Sequence, residues 1–236
     1  MRMDEFTGKA EVYTQARPGY AAAALDFICG LVHPPNAVIA DIGAGTGKFS
    51  ALLAERGYEV IAVEPNADMR SKLPLLPNLR IMDGTAEATG LPDASVDAVT
   101  CAQAFHWFDG EKFKAECLRI LKPGGRIFVV YNNPRKGLQA HPELNWHPHK
   151  YDPKRWEKNN ETMLAFFGEA MRREAFDNPI YFDRERHRAY MLSHSDSPRP
   201  GDEIYERFVA SIAEIFERCN VEGKMLLPLE TIVYTR

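Results

Sequence analysis

Val38-Ile39-Ala40-Asp41-Ile42-Gly43-Ala44-Gly45-Thr46-Gly47 is the stretch whose reading decides the fold. An apolar, β-branched run ends in an acid and three alternating glycines, and helical periodicity follows from Phe49 to Arg56. A strand that runs through a glycine turn into a helix opens a βαβ unit. Glycine lets the chain turn sharply and lets a ligand approach the backbone with no Cβ in the way. The helix behind the turn presents free N–H groups and a positive dipole end. The spacing is selective. A dinucleotide fingerprint needs glycine at position 48, where this chain has Lys48. A phosphate loop needs G-K-[ST], and Gly47-Lys48 is followed by Phe49.

Working outward, strands are expected at Glu59–Glu64, Leu79–Met82, Val96–Cys101 and Arg126–Tyr131. Helices are expected at Ala67–Lys72 and Lys112–Leu121, the latter closed by Lys122-Pro123-Gly124-Gly125. This alternation predicts a parallel α/β sheet covered on both faces, with the loops after the strands along one edge. Ligands of open α/β sheets bind at that edge. Glu64, at the end of the second strand, is placed there, and its carboxylate can accept hydrogen bonds from both hydroxyls of a ribose.

The flanks differ from this core. Ala10–Gln15 and Tyr20–Leu31 read as helices split by Arg17-Pro18-Gly19. After Asn133, prolines, histidines and tryptophans crowd into an irregular insertion up to Arg155. Helices are expected at Glu157–Arg173 and Ile204–Arg218, with late strands at Tyr181-Phe182 and Lys224–Tyr234. The chain of 236 residues, 45% hydrophobic and 26% charged, suffices for one large domain without disulfides. Its net charge of −4 gives no basic footprint for nucleic acid. Cys29, Cys101, Cys117 and Cys219 form no CxxC pair, the first residues lack an apolar leader, and no run is long enough to span a bilayer. A cytoplasmic protein that meets neither membrane nor nucleic acid, monomeric or homodimeric, is the expectation.

Several ordered motifs accompany the glycine loop: Val63-Glu64-Pro65-Asn66, Gly84-Thr85-Ala86-Glu87, Leu91 to Asp97, Ala102 to Asp109, and Leu121 to Gly125. With these the chain resembles the class I S-adenosylmethionine (SAM)-dependent methyltransferases of the type 11 small-molecule group, in the branch of trans-aconitate methyltransferase-like proteins. The resemblance implies a doubly wound, Rossmann-like, mostly parallel seven-stranded sheet whose last strand is antiparallel. It implies one domain: an N-terminal helical lid over 1–35, a SAM-binding core over 36–133, and a cap insertion with the C-terminal half of the sheet over 134–236.

By the same resemblance SAM is the cofactor and S-adenosylhomocysteine its product. Gly43, Ala44, Gly45 and Gly47 would pass under the methionine part, with Asp41 organising the loop. Glu64 would hold the ribose, and Pro65 and Asn66 would flank the adenine. Thr85, Ala86 and Glu87 would reach the adenine edge; Thr85 stands where many relatives have Asp, so Glu87 is the alternative partner there. Gln103 would lie under the methionyl group. Tyr13 and Arg17, in the lid, would face the SAM carboxylate or an acidic acceptor, or simply the surface.

Methyl transfer from a sulfonium needs alignment and exclusion of water, and a base only where the acceptor loses a proton. His106 is the candidate base, or else a wall of the acceptor pocket beside Trp107 and Tyr131. Those aromatics read equally well as core. His141, His147 and His149 lack metal-ligand spacing, so no metal is expected. The leading expectation is methylation of a small molecule on oxygen, with a carboxylate favoured and the basic run Arg184, Arg186, His187 and Arg188 either a partner for it or a solvated helix face. The alternatives are N-methylation of a small amine and a SAM-binding protein that does not methylate.

Overall fold

The computed structural model of the chain describes residues 17–33, 36–135, 155–194 and 197–236. Tyr13, His141, His147, His149 and the expected first helix lie outside the described residues. Strands β1 (Val38–Ile42), β2 (Glu59–Val63), β3 (Leu79–Met82), β4 (Val96–Ala102), β5 (Leu121–Pro134), β6 (Arg172–Phe182) and β7 (Met225–Thr235) form one sheet in the order β3-β2-β1-β4-β5-β7-β6. The first five are parallel, and β7 lies antiparallel between β5 and β6.

Period-two alternation sends neighbouring residues to opposite layers. Ile39, Phe128 and Val130 join Leu25, Phe49 and Leu53 in one buried layer, under helices α1 (Ala22–Cys29) and α2 (Lys48–Ala54). Ala40, Ile42, Val129 and Tyr131 join Phe113, Cys117, Ile120 and Phe166 in the other, under α4 (Gly110–Ile120) and α5 (Arg155–Phe167). The sheet is therefore doubly wound. The short helix α3 (Ala67–Arg70) follows β2, capped by the Asn66 side chain, which accepts from Met69 N.

Two expected boundaries are corrected. Lys122-Pro123-Gly124-Gly125 does not end α4 in a loop. It is the irregular part of β5: Leu121 already pairs with Val96, and regular pairing resumes at Ala98 with Arg126. The helix expected to run to Arg173 stops at Phe167, because Gly168 turns the chain at φ 79°. The late strand then starts at Arg172 rather than Tyr181. Beyond Pro134, β6 and β7 run on as a two-stranded ribbon from Pro179↔Pro228 to Phe182↔Met225. That end carries α6 (Arg184–Leu192) and α7 (Tyr205–Cys219), which pack on each other, with Phe182, Leu227 and Leu229 buried beneath. No helix among the described residues is long and apolar enough to cross a membrane.

Candidate functional site

A cleft opens at the carboxyl ends of β1, β2, β4 and β5, where the strand order reverses between β1 and β4. This is the edge at which open α/β sheets bind ligands. Its space, open mouth included, is about 1080 Å³, and its walls include Asp41, Gly43, Ala44, Gly45, Glu64, Asn66, Gln103, Trp107 and Arg17.

The floor is the glycine loop. Gly43 and Gly47 have φ 70° and 79°, and a Cβ on either has no room. At Gly43 it would meet Ala104 Cβ at 2.8 Å; at Gly47 it would meet Pro74 Cδ at 2.8 Å. Gly47 thus packs the loop from behind. The amides of Gly43 and Ala44 donate to Val63 O, and Gly47 N donates to Ala44 O. These three loop amides are therefore used within the fold, and what the loop itself offers there is close approach. The buried hydroxyl of Thr46 is an exception: it lines the cleft and has no partner among the described residues.

Two acids frame the loop. Asp41 is buried, with Ser50 Oγ donating to Oδ2 at 2.5 Å and Thr100 Oγ1 donating to Oδ1 at 2.8 Å. Burial pushes its carboxyl up to about 6, although both hydroxyls favour the charged form. Glu64 Oε2 accepts from Gly45 N at 2.8 Å and Oε1 from Asn66 N at 2.9 Å. Burial raises Glu64 too, against the pull of those amides and of Arg70. Each oxygen keeps a lone pair for a hydroxyl donor.

The opposite end is cationic. Lys48 Nζ donates to Arg17 O at 2.5 Å, and the Arg17 guanidinium lies 5.7 Å from the centre of the Tyr190 ring. Burial, reinforced by Arg186 and Arg17, lowers Lys48 to about 8. Between the two ends Gln103 holds left-handed backbone at φ 58°, and its Nε2 donates to Asn132 O at 3.0 Å. A non-glycine residue there stores about 1–2 kcal/mol of strain.

The other expected site residues sit apart. Pro65 forms the turn behind Glu64, and its carbonyl accepts from Arg70. Thr85 closes a tight bridge with Ala88, Ala86 is buried, and Glu87 Oε1 accepts from Asp109 N at 3.0 Å. His106 is exposed on a short 3-10 turn, Phe105–Trp107, 4.9 Å from the Trp107 ring and 6.2 Å from that of Tyr131. Tyr131 is buried in the core layer. Among the described residues no three His, Cys, Asp or Glu side chains form a candidate metal site.

Residues 40–129, which hold the strands and loops of this edge up to β5, match the model of the methyltransferase domain. This stretch belongs to the methyltransferase domain family. The domain is 42% identical over 130 residues to an uncharacterized methyltransferase of Mycobacterium tuberculosis, covering 54% of this chain and 51% of that one. It is 38% identical over 109 residues to a malonyl-[acyl-carrier protein] O-methyltransferase of Methylococcus capsulatus, covering 42% of this chain and 40% of that one. The chain spans about half the length of the curated relatives it matches. In fold it is similar to a crystal structure named as a methyltransferase of an antibiotic biosynthesis pathway in Anabaena variabilis, with a TM-score of 0.67 at 23% identity over 95% of this chain and 99% of that one. The architecture is the Rossmann-like fold of class I methyltransferases.

Several cleft residues fall outside the family-matched stretch and were not read from sequence: Tyr20, Asn132, Tyr190 and Leu229. Asn132 Nδ2 and Asn178 Nδ2 both donate to Gly19 O at 2.9 Å, and Ala21 N donates to Thr231 Oγ1 at 2.9 Å. These bonds strap residues 17–21 across β5, β6 and β7. Nothing in an isolated asparagine or threonine announces so distant a partner. Lys48 and Phe49, next to the glycines, were legible by position, as residues on the helix that the loop opens.

Proposed function

We propose that the chain is a SAM-dependent methyltransferase acting on a small molecule, most often at oxygen, with a carboxylate as the favoured acceptor. One observation carries the reading: Glu64 stands beside a glycine floor at the switch point with both carboxylate oxygens anchored to amides. That arrangement suits the vicinal hydroxyls of an adenosine ribose. The rest of the cleft fits the same cofactor. Gly45 leaves open the space a Cβ would fill, Asn66 and Met69 flank the Glu64 end, and the Thr46 hydroxyl, unpartnered among the described residues, suits an amino-acid end with Lys48 and Arg17.

SAM supplies an electrophilic methyl on a sulfonium. The chain's own residues bind, orient and exclude water. Gln103 and Asp41 fix the floor, while Trp107 and Phe108 wall the cleft against solvent. A carboxylate acceptor needs no base, and the cations Arg17 and Lys48 on the cleft wall favour an anionic one. The O-methyltransferase relative of Methylococcus capsulatus supports oxygen as the acceptor atom. His106, beside Trp107, is reserved for acceptors that lose a proton.

Thermal melting with SAM and with S-adenosylhomocysteine tests the cofactor. At a hundredfold excess over Kd, binding to the folded state adds about 2.7 kcal/mol, and an unmoved midpoint at saturation refutes the reading. Methyl release is then assayed against small acids, phenols and amines. Turnover with amines alone moves the acceptor to nitrogen, and binding without any turnover points to a non-methylating use of the cofactor. Glu64→Ala is expected to weaken S-adenosylhomocysteine by about 1.5–3 kcal/mol in calorimetry, as hydrogen bonds to a charged group are lost.

A further inference from the structure

The turn that presents Glu64 is held from outside by one side chain. Arg70, the last residue of α3, reaches back with Nη1 to Glu64 O at 2.7 Å and Pro65 O at 3.0 Å. The same guanidinium forks onto Asp83, just past β3, with Nη1–Oδ1 and Nη2–Oδ2 both at 3.2 Å. From the inside, Glu64 N donates to Met82 O. We propose that Arg70, steered by Asp83, is a positioning residue for Glu64, locking the turn that aims its carboxylate at the vicinal hydroxyls of a ribose. The proposal rests on reading Glu64 as the ribose acceptor.

Three features set this pair apart from an ordinary surface bridge. Two consecutive carbonyls of the site's own turn converge on one nitrogen, which only a planar, multi-donor head such as guanidinium can serve while also forking onto a carboxylate. The Asp83 side chain is 70% exposed, so the ion pair contributes little to folding. What it does contribute is geometry and charge at Glu64. The charged groups around that carboxylate are Asp41 on β1, Arg70 on α3 and Asp83 after β3. Arg70 favours the ionised carboxylate and Asp83 opposes it. Neutralising Arg70 and neutralising Asp83 therefore have effects of opposite sign on Glu64, which a purely structural role does not give.

The test measures affinity for S-adenosylhomocysteine and for its 2′-deoxy analogue by calorimetry from acid to neutral pH. The ratio of the two isolates hydroxyl recognition and cancels titration of Asp41, common to both ligands. In Arg70→Gln the ratio is expected to fall about tenfold at neutral pH, and its acid-side decline to move to higher pH. Arg70→Lys keeps the charge without the fork, so its ratio falls while the acid limb stays near that of the wild type. Asp83→Asn moves the acid limb to lower pH. An unaltered ratio in Arg70→Gln, or limbs that shift the same way in Arg70→Gln and Asp83→Asn, overturns the proposal alone. A wild type that does not distinguish the two ligands overturns the Glu64 assignment and the proposal with it.

Discussion

Gly43 and Gly45 share left-handed backbone, yet they answer to different constraints. A Cβ at Gly43 would press on Ala104 and Phe108, whereas at Gly45 its nearest neighbour is Met69 Cε at 4.0 Å. Gly45→Ala is therefore expected to cost about 1–2 kcal/mol, the conformational term alone. Gly43→Ala adds overpacking of about 1–3 kcal/mol, so chemical denaturation should rank it clearly below Gly45→Ala. Lys48 gives a second residue-scale prediction. Its ammonium sits at about 8 because burial, Arg186 and Arg17 oppose its charge. A bound carboxylate favours that charge, so binding takes up a proton wherever the free lysine is neutral. S-adenosylhomocysteine affinity should hold level from neutral pH to about pH 8 and fall above it, and Lys48→Met should abolish that alkaline fall. An affinity flat to pH 9.5 in the wild type removes Lys48 from the anion's surroundings. At this scale the sequence was most readable where a residue type admits few explanations. Three glycines at alternate positions after a strand, and an acid one strand further on, are of that kind. Thr85, Glu87 and His106 admit more: the Thr85 backbone turns in a bridge with Ala88, Glu87 Oε1 accepts from Asp109 N and His106 is exposed, arrangements that spacing does not encode.

Among the elements, α6 carries an unusual burden. His187 faces inward from it, 1% exposed, with its ring 5.9 Å from Phe216 of α7. Neither ring nitrogen has a hydrogen-bond partner among the described residues. Burial lowers its pKa to about 4, from an ordinary 6.5. The sign follows: the unfolded chain takes up the proton first, so stability is lost as pH falls from about 6.5 toward 4. The loss amounts to up to about 2–3 kcal/mol. His187→Leu should melt higher than the wild type, with a margin that widens between pH 7 and pH 5; a constant margin would mean that the imidazole is solvated. The basic run around this histidine looked uniform in sequence. The helix divides it, pairing Arg184 with Glu217 and burying His187 while Arg188 stays exposed. Strand β6 hid for a related reason. Its burial alternates only weakly, as on an edge strand, and Pro179 sits within it. The interior strands β1, β2, β4 and β5 could be read because burial on both faces makes them continuous apolar runs.

For the molecule as a whole, the cleft joins parts far apart in the chain. Thr231, on β7, accepts from Ala21 N and donates to Asn132 Oδ1 at 2.6 Å. Thr231→Val should release the 17–21 strap from the sheet. Hydrogen exchange at Ala21 is expected to accelerate, with a stability loss of about 1–3 kcal/mol for the orphaned groups; unchanged exchange would show that Asn132 and Asn178 suffice. The place of β7 has a consequence for the order in which the protein is made. A ribosome delivers β1 to β5, glycine loop, Glu64 and Gln103 included, by the time Pro134 is added. At that moment the outer edge of β5 has no neighbour, and β6 will find none when it emerges, because the strand between them is the last of the seven in chain order. The nascent chain thus carries Val129, Val130 and Tyr131 on a bare edge until Met225–Thr235 arrives. Such an edge invites aggregation, and long-range closure of this kind is slow. The half of the cleft proposed to read the nucleoside is complete early, whereas Tyr190, Leu229 and the Thr231 anchor reach it only after synthesis of the whole sheet.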